Sequence, residues 1–123
     1  MQRRTYSGIL SSNPIVKGDK LGEFEEFALL AVHALKDGTY GVPVQQYMEK
    51  QTGRVVTMGA VYAALARLEE KGYVRSVLGD ATPVRGGKRK RQYEATAAGI
   101  KALHELKRVR ERIWRAIESR GRA

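Results

Sequence analysis

The sequence contains no cysteine, which excludes disulfides, cysteine-based zinc fingers and thiol catalysis. Its two histidines, His33 and His104, have no obvious carboxylate partner, so we expect neither a metal site nor a catalytic base. The sequence also lacks a glycine-rich phosphate-binding loop and a plausible catalytic triad. We therefore expect a protein that is not an enzyme and that carries no cofactor.

Long apolar runs are missing as well. No stretch approaches the roughly 20 residues that cross a bilayer, and residues 1–8 lack the apolar run of a signal peptide. The sequence therefore predicts a cytoplasmic protein that does not insert into a membrane.

Basic residues, by contrast, are in large surplus. Lysine and arginine number 23 against 13 aspartate and glutamate residues, which gives a net charge of +10. This charge favours a polyanionic partner, either nucleic acid or an anionic membrane surface. With 123 residues, of which 42% are hydrophobic, the chain has room for one compact domain and one appended element.

The first 20 residues show no sustained apolar period and carry Arg3, Arg4 and Lys17 among glycine, serine and proline residues. We interpret them as a flexible basic arm. Its charges either follow DNA or are simply solvated, which is the commoner role of terminal charges.

Between residues 22 and 72, apolar residues recur at helical spacing in three blocks. The first block covers about 22–36 and opens with three glutamates, where the helix macrodipole favours anions. The second begins near Pro43 and ends at Gly53. For the third block, Thr57 is the predicted N-cap and Gly72 the left-handed stop.

The period then changes from helical spacing to strict alternation, in 73–78 and again in 90–95, which predicts a β-hairpin with a long tip at 79–88. Thr96 is expected to cap a last helix. Apolar residues recur in that helix every three or four positions, a pattern that requires a partner helix. The predicted dimerisation residues are Leu103, Leu106, Val109, Ile113 and Ile117.

Three helices followed by a hairpin are the element order of a winged helix, in which the third helix enters the major groove of DNA. We therefore predict a mainly α protein with a small β-hairpin, a winged helix-turn-helix with a C-terminal dimerisation helix. Its expected parts are the arm at 1–20, the winged helix at 21–96 and the dimerisation helix at 97–123. Double-stranded DNA and a second copy of the chain are the expected partners.

The predicted DNA contacts belong to the third helix and to the hairpin. The five hairpin cations either neutralise phosphates and reach a minor groove or form a solvated basic loop. The full set of predicted DNA-contacting residues is Thr57, Met58, Gly59, Ala60, Tyr62, Arg67, Arg85, Lys88, Arg89, Lys90 and Arg91.

Three of these predictions have an alternative. Thr57 either binds a phosphate through its hydroxyl or only caps the helix, and Tyr62 is either a phosphate donor or a plain core aromatic. Arg67 either contacts DNA or forms a surface ion pair with Glu70. Small residues such as Ala60 permit close approach to thymine methyl groups.

Several segments also resemble one family. They are LGEFEEF at 21–27, YGV at 40–42, GAVY at 59–62, RLEEKGYV at 67–74, RGGKRKRQY at 85–93 and TAAG at 96–99. In combination, over about 21–106, they resemble the PadR family of bacterial transcriptional regulators. The resemblance implies a homodimer joined through its last and first helices, which represses transcription from an inverted-repeat operator. In some members of that family, a small aromatic or cationic compound releases the DNA.

An effector of that kind requires an aromatic lining, for which Phe24, Phe27 and Trp114 are the candidates. The alternative is that Trp114 only packs in the interface between helices. Two other functions also fit the sequence. A nonspecific nucleic-acid binder would use the same charge without reading a sequence, and a winged-helix interaction module would bind protein instead of DNA.

Overall fold

Three helices, a two-stranded sheet and a long fourth helix follow one another in the predicted order. The computed structural model describes residues 20–79 and 90–121. Its elements are α1 (Glu23–Leu35), α2 (Gly41–Thr52), α3 (Met58–Glu70), β1 (Val74–Leu78), β2 (Arg91–Ala95) and α4 (Ala97–Gly121). This architecture confirms the predicted winged helix with an appended C-terminal helix. Residues 1–19, which are nearly all of the predicted basic arm at 1–20, lie outside the described part, as does most of the predicted hairpin tip.

The helix ends lie where the local sequence predicts them. The Thr57 hydroxyl accepts a hydrogen bond of 3.2 Å from the amide of Ala60, so Thr57 is the N-cap of α3. Gly53 and Gly72 follow α2 and α3 with φ angles of +69° and +79°. Only glycine adopts this left-handed conformation without a steric cost, which explains both residues.

The hairpin pairs β1 with β2 in an antiparallel register that runs from Val74 opposite Ala95 to Leu78 opposite Arg91. A third short piece of backbone joins it at Thr39, whose amide and carbonyl exchange hydrogen bonds of 2.9 and 2.7 Å with Tyr93. The alternating pattern of the sequence does not predict this bridge. It ties the turn between α1 and α2 to the middle of β2.

The core lies between α1, α2 and α3 and is closed by β1. Burying each leucine or valine side chain contributes about 1.5–3 kcal/mol. The largest fully buried side chains are Leu29, Val44, Met48, Val61, Leu65, Leu68 and Val74. Because α3 turns its apolar stripe inward, the opposite face of α3 is free to form a surface.

The start of α4 is fixed against the turn that ends α3. The Thr96 hydroxyl donates to the carbonyl of Gly72 at 2.6 Å and accepts from the amide of Gly99 at 3.1 Å. Leu103 is buried, but the helix is almost entirely exposed from His104 onward. With 25 residues, α4 is about 37 Å long. Within the described residues, no helix is long and apolar enough to cross a membrane.

Gly99 provides a test of this junction. A Cβ atom at Gly99 would collide with the carbonyl oxygen of Tyr73 and lie 3.0 Å from its carbonyl carbon, whereas a Cβ at Gly59 would contact no described residue outside its own helix. We expect Gly99→Ala to lower the free energy of unfolding by about 1–3 kcal/mol. Gly59→Ala, the matched control, should leave stability unchanged or raise it by up to about 1 kcal/mol. Thermal unfolding of both variants measures this, and equal melting temperatures would contradict the tight packing of α4 on Tyr73.

Candidate nucleic-acid interface

The exposed face of α3 presents mostly small side chains. Gly59, Ala63 and Ala66 are exposed along it, while Thr57 stands exposed at its N-terminus. Within the described residues, nothing beyond the adjoining helix backbone lies within 4 Å of a Cβ built on Gly59, so internal packing does not explain the glycine. Its absent side chain instead leaves the first turn of α3 open to close approach by a ligand.

Tyr62 connects this face to α2. A Cβ atom built on Gly41 would lie 2.6 Å from the Tyr62 hydroxyl, so the tyrosine ring covers the first turn of α2. Tyr62 is 47% exposed, which places it at the surface and not in the core. The N-cap of α2, Tyr40, makes no side-chain capping hydrogen bond. The first amides of α2 therefore add a partial positive charge beside Tyr62.

The end of the hairpin at which its tip begins meets the same surface. The Lys90 ammonium lies 5.6 Å from the centre of the Tyr40 ring, in cation–π geometry. Lys90, Tyr40, Gly41 and Tyr62 thus form a continuous line from the hairpin across the start of α2 to α3. We call the exposed residues of this region, Tyr40, Thr57, Gly59, Tyr62 and Lys90, the candidate interface.

Arg91 is held toward α3 by a short hydrogen-bond chain. Its guanidinium donates to the Ser76 hydroxyl at 3.0 Å, and that hydroxyl donates to the carboxylate of Glu69, with distances of 2.8 and 2.9 Å to its two oxygens. These hydrogen bonds fix the orientation of the hairpin relative to α3.

Of the other predicted contacts, Met58 and Ala60 are half-buried in the first turn of α3, whereas Arg85, Lys88 and Arg89 lie outside the described residues.

Arg67 forms an ion pair, although with a different partner from the one that the sequence suggested. Its Nε donates to Glu25 of α1 at 2.7 Å, whereas Glu70 was the expected partner. Lys71 binds the other oxygen of the same carboxylate at 2.5 Å. Burial alone would raise the pKa of Glu25, but the hydrogen bonds and charges of Lys71 and Arg67 outweigh it and lower the pKa. This cluster fastens the end of α3 to the start of α1.

The three aromatic residues proposed for an effector site do not share one environment. Phe24 and Phe27 pack against the core from α1, and the Arg54 guanidinium lies 5.8 Å from the centre of the Phe27 ring. Trp114 is 61% exposed on α4. A small cleft in the described part of the chain lies between the turn after α1 and the hairpin, at Gly38, Arg75 and Gln92, and none of the three aromatics lines it.

The predicted dimerisation stripe is only partly covered. Leu103 is buried and Leu106 half-buried against the rest of the chain. Val109, Ile113 and Ile117 are 44%, 54% and 53% exposed and continue the stripe along α4. This apolar surface is consistent with a dimerisation helix.

The buried residue that sequence analysis missed is Glu26. Its side chain is 7% exposed and forms an ion pair with Arg110 of α4. The only signal in the sequence was an acidic helix start, which the macrodipole already explains.

In the described ranges, no cluster of three or more histidine, aspartate or glutamate side chains could hold a metal ion. His33 is half-buried and His104 exposed.

Comparison with known proteins identifies the class. The profile of the transcriptional regulator PadR-like family matches residues 29–105, which is well over half of the chain. The protein therefore belongs to the PadR-like family of transcriptional regulators. A search of curated proteins gives no match.

Solved structures share the fold. A PadR-like transcription factor from Bacteroides fragilis is 22% identical with a TM-score of 0.65, over 77% of this chain and 86% of that one. A PadR-like regulator from Bacillus cereus is 20% identical with a TM-score of 0.59, over 77% and 87%. Bacillus subtilis PadR, solved in complex with operator DNA, is 18% identical with a TM-score of 0.56, over 67% of this chain and 46% of its own.

The Glu25 cluster predicts a pH dependence of stability. Because the pKa of Glu25 in the folded state lies below its ordinary value of 4.5, the cluster stabilises the protein above about pH 4.5 and this contribution is lost as the pH falls through the folded pKa. We expect Glu25→Gln to cost about 1–3 kcal/mol at neutral pH and progressively less below pH 4.5. Urea unfolding from pH 7 to pH 3 measures the difference. Glu70→Gln, at an exposed site, is the control, and a cost for Glu25→Gln that stays constant down to pH 3 would contradict the prediction.

Proposed function

We propose that this protein is a homodimeric, sequence-specific DNA-binding repressor that recognises an inverted-repeat operator. The observation that carries the proposal is the candidate interface. There, an open helix face, an uncapped helix start and a hairpin cation meet on one surface, in a member of a family of transcriptional regulators. The solved complex of Bacillus subtilis PadR with operator DNA supports DNA as the ligand of such a surface.

In this proposal α3 enters the major groove with its N-terminal turns. Gly59 lets the backbone approach the base edges, and the half-buried Met58 and Ala60 lie in the same turn. Thr57 and Tyr62 carry hydroxyl groups at the margin of the groove, where phosphates lie. Arg67 is already bound to Glu25, so its main contribution is to hold α3 on α1, and its exposed half contacts the DNA backbone.

The hairpin supplies affinity without reading the sequence. Lys90 and Arg91 lie where β2 begins, next to the tip, and three further cations, Arg85, Lys88 and Arg89, precede them closely in the sequence. Lysine and arginine bind phosphates by charge, so their contribution falls as salt rises. In this proposal α3 therefore recognises the base sequence, whereas the hairpin neutralises phosphate charge whatever the sequence is.

A second copy of the chain covers the exposed stripe of α4. Val109, Ile113 and Ile117 leave an apolar band that a symmetry-related helix can bury. A twofold dimer presents two α3 helices to successive major grooves about 34–36 Å apart, which makes the operator an inverted repeat. The exposed Trp114 beside this band is the residue that we assign to a small aromatic or cationic effector.

Replacing Lys90 tests the role of the hairpin. Lys90→Ala should weaken binding to all duplexes by a similar factor, because it removes one phosphate contact, and should lower the slope of log affinity against log salt by about 1. Titrations at several salt concentrations, with an inverted-repeat duplex and with a scrambled one, measure this. Lys101→Ala on α4 removes the same charge elsewhere and should change neither quantity. A changed base preference in Lys90→Ala would contradict the proposed separation of roles.

Replacing Ile113 tests the dimer. Ile113→Asp introduces a charge into the exposed stripe and should yield folded monomers that bind the inverted repeat at least about tenfold more weakly, since each half-site loses its linked partner. Arg115→Asp puts the same carboxylate on the opposite side of α4 and should remain dimeric. Analytical ultracentrifugation with parallel DNA titration measures both properties. A dimeric Ile113→Asp variant that binds like the wild type would rule out this interface.

A further inference from the structure

One ion pair joins the start of α1 to the exposed part of α4. Both terminal nitrogens of the Arg110 guanidinium donate to the carboxylate of Glu26, with 2.6 Å between Nη2 and Oε1 and a second contact from Nη1 to Oε2. The Glu26 side chain is 7% exposed, whereas that of Arg110 is 56% exposed. The buried carboxylate therefore depends on Arg110 to compensate its charge, whereas more than half of the Arg110 side chain is exposed to solvent.

Arg110 occupies a particular place on α4. It follows Leu103 by seven residues and precedes Ile117 by seven, so the three share one helix face. Leu103 is buried and Ile117 is exposed, which puts Arg110 where the helix leaves the body of the protein. Apolar contacts alone fix the direction of a helix weakly, because they are not directional. A two-pronged guanidinium–carboxylate contact also fixes orientation.

We propose that the Glu26–Arg110 pair sets the angle at which α4 leaves the winged-helix domain, and through it the spacing between half-sites that the dimer accepts. This inference rests on the proposed function. The 11 residues that follow Arg110, up to Gly121, extend α4 by about 16 Å. Over that length, a tilt of about 10° displaces the helix end by about 3 Å, close to the rise of one base pair. If the angle of α4 is not fixed, the distance between the two α3 helices therefore varies by about one base pair, and the dimer fits operators with different spacers.

The test removes the pair without leaving a buried charge. Removing Arg110 alone would leave an unpaired carboxylate and could unfold the protein, so Glu26→Met is combined with Arg110→Met. Arg112→Met, on the opposite side of α4, loses the same arginine charge and is the matched control. Arg110→Lys keeps the charge but loses the two-pronged geometry and should give an intermediate result.

Two readouts separate the angle from simple stability. Because the sequence contains no cysteine, a single Gln46→Cys substitution on exposed α2 takes one spin label per copy, and electron paramagnetic resonance gives the distance between copies. Binding is measured on inverted repeats whose spacers differ by one or two base pairs. Two added base pairs separate the half-sites by about 7 Å and rotate them by about 70°.

We expect a narrow distance distribution for wild type and for Arg112→Met, with about tenfold weaker binding when the spacer changes by two base pairs. The double variant should remain dimeric, give a broad distribution and discriminate between spacers by less than about threefold. A double variant with a narrow distribution and unchanged spacing preference would overturn the proposal. So would a monomeric double variant, since the pair would then hold the dimer together and not set its angle. If wild type prefers no duplex, the proposed function fails, while the distance measurement still tests the pair.

Discussion

The acidic first turn of α1 is the constraint on which the rest of the structure depends. Its three glutamates bind cations from three other parts of the chain: Glu23 binds Arg54 before α3, Glu25 binds Arg67 and Lys71 at the end of α3, and Glu26 binds Arg110 of α4. At a helix start these carboxylates are also favoured by the macrodipole. The ion pairs contribute different amounts to the stability of the fold. The exposed Glu23 pair contributes at most about 1 kcal/mol, whereas the buried Glu26 cannot lose its partner without a large cost.

This arrangement also distributes the charge of the molecule. In a chain with a net charge of +10, carboxylates are scarce, and those of α1 neutralise cations that hold the fold together. Lys90 lies against an aromatic ring instead of a carboxylate, at the edge of the surface formed by α2 and α3. Among the described residues no ion pair engages Lys90, so its charge can attract a polyanion. The cations paired with α1 therefore help to hold the fold, whereas Lys90, which is proposed to bind DNA, lies at the edge of the surface formed by α2 and α3.

How far the sequence predicts the structure depends on how local each feature is. Caps and stops such as Thr57, Gly72 and Thr96 were predicted because their hydrogen bonds or backbone angles involve residues close in the chain. The inward stripe of α3 followed from its periodicity. Glu26 and Arg110 are separated by 84 residues, and their pairing depends on how α4 packs, which no local pattern encodes. For the same reason, the bridge from Thr39 to Tyr93 and the packing of Tyr62 over Gly41 emerged only from the structure.

The central claim is that two copies of α3 read one inverted repeat. Selection of bound duplexes from a random DNA library, at near-physiological salt and with the full-length protein, tests it most directly. The account predicts enrichment of an inverted repeat whose half-sites are about 10 base pairs apart, centre to centre. Bound duplexes without a common sequence, or no binding at all, would contradict it.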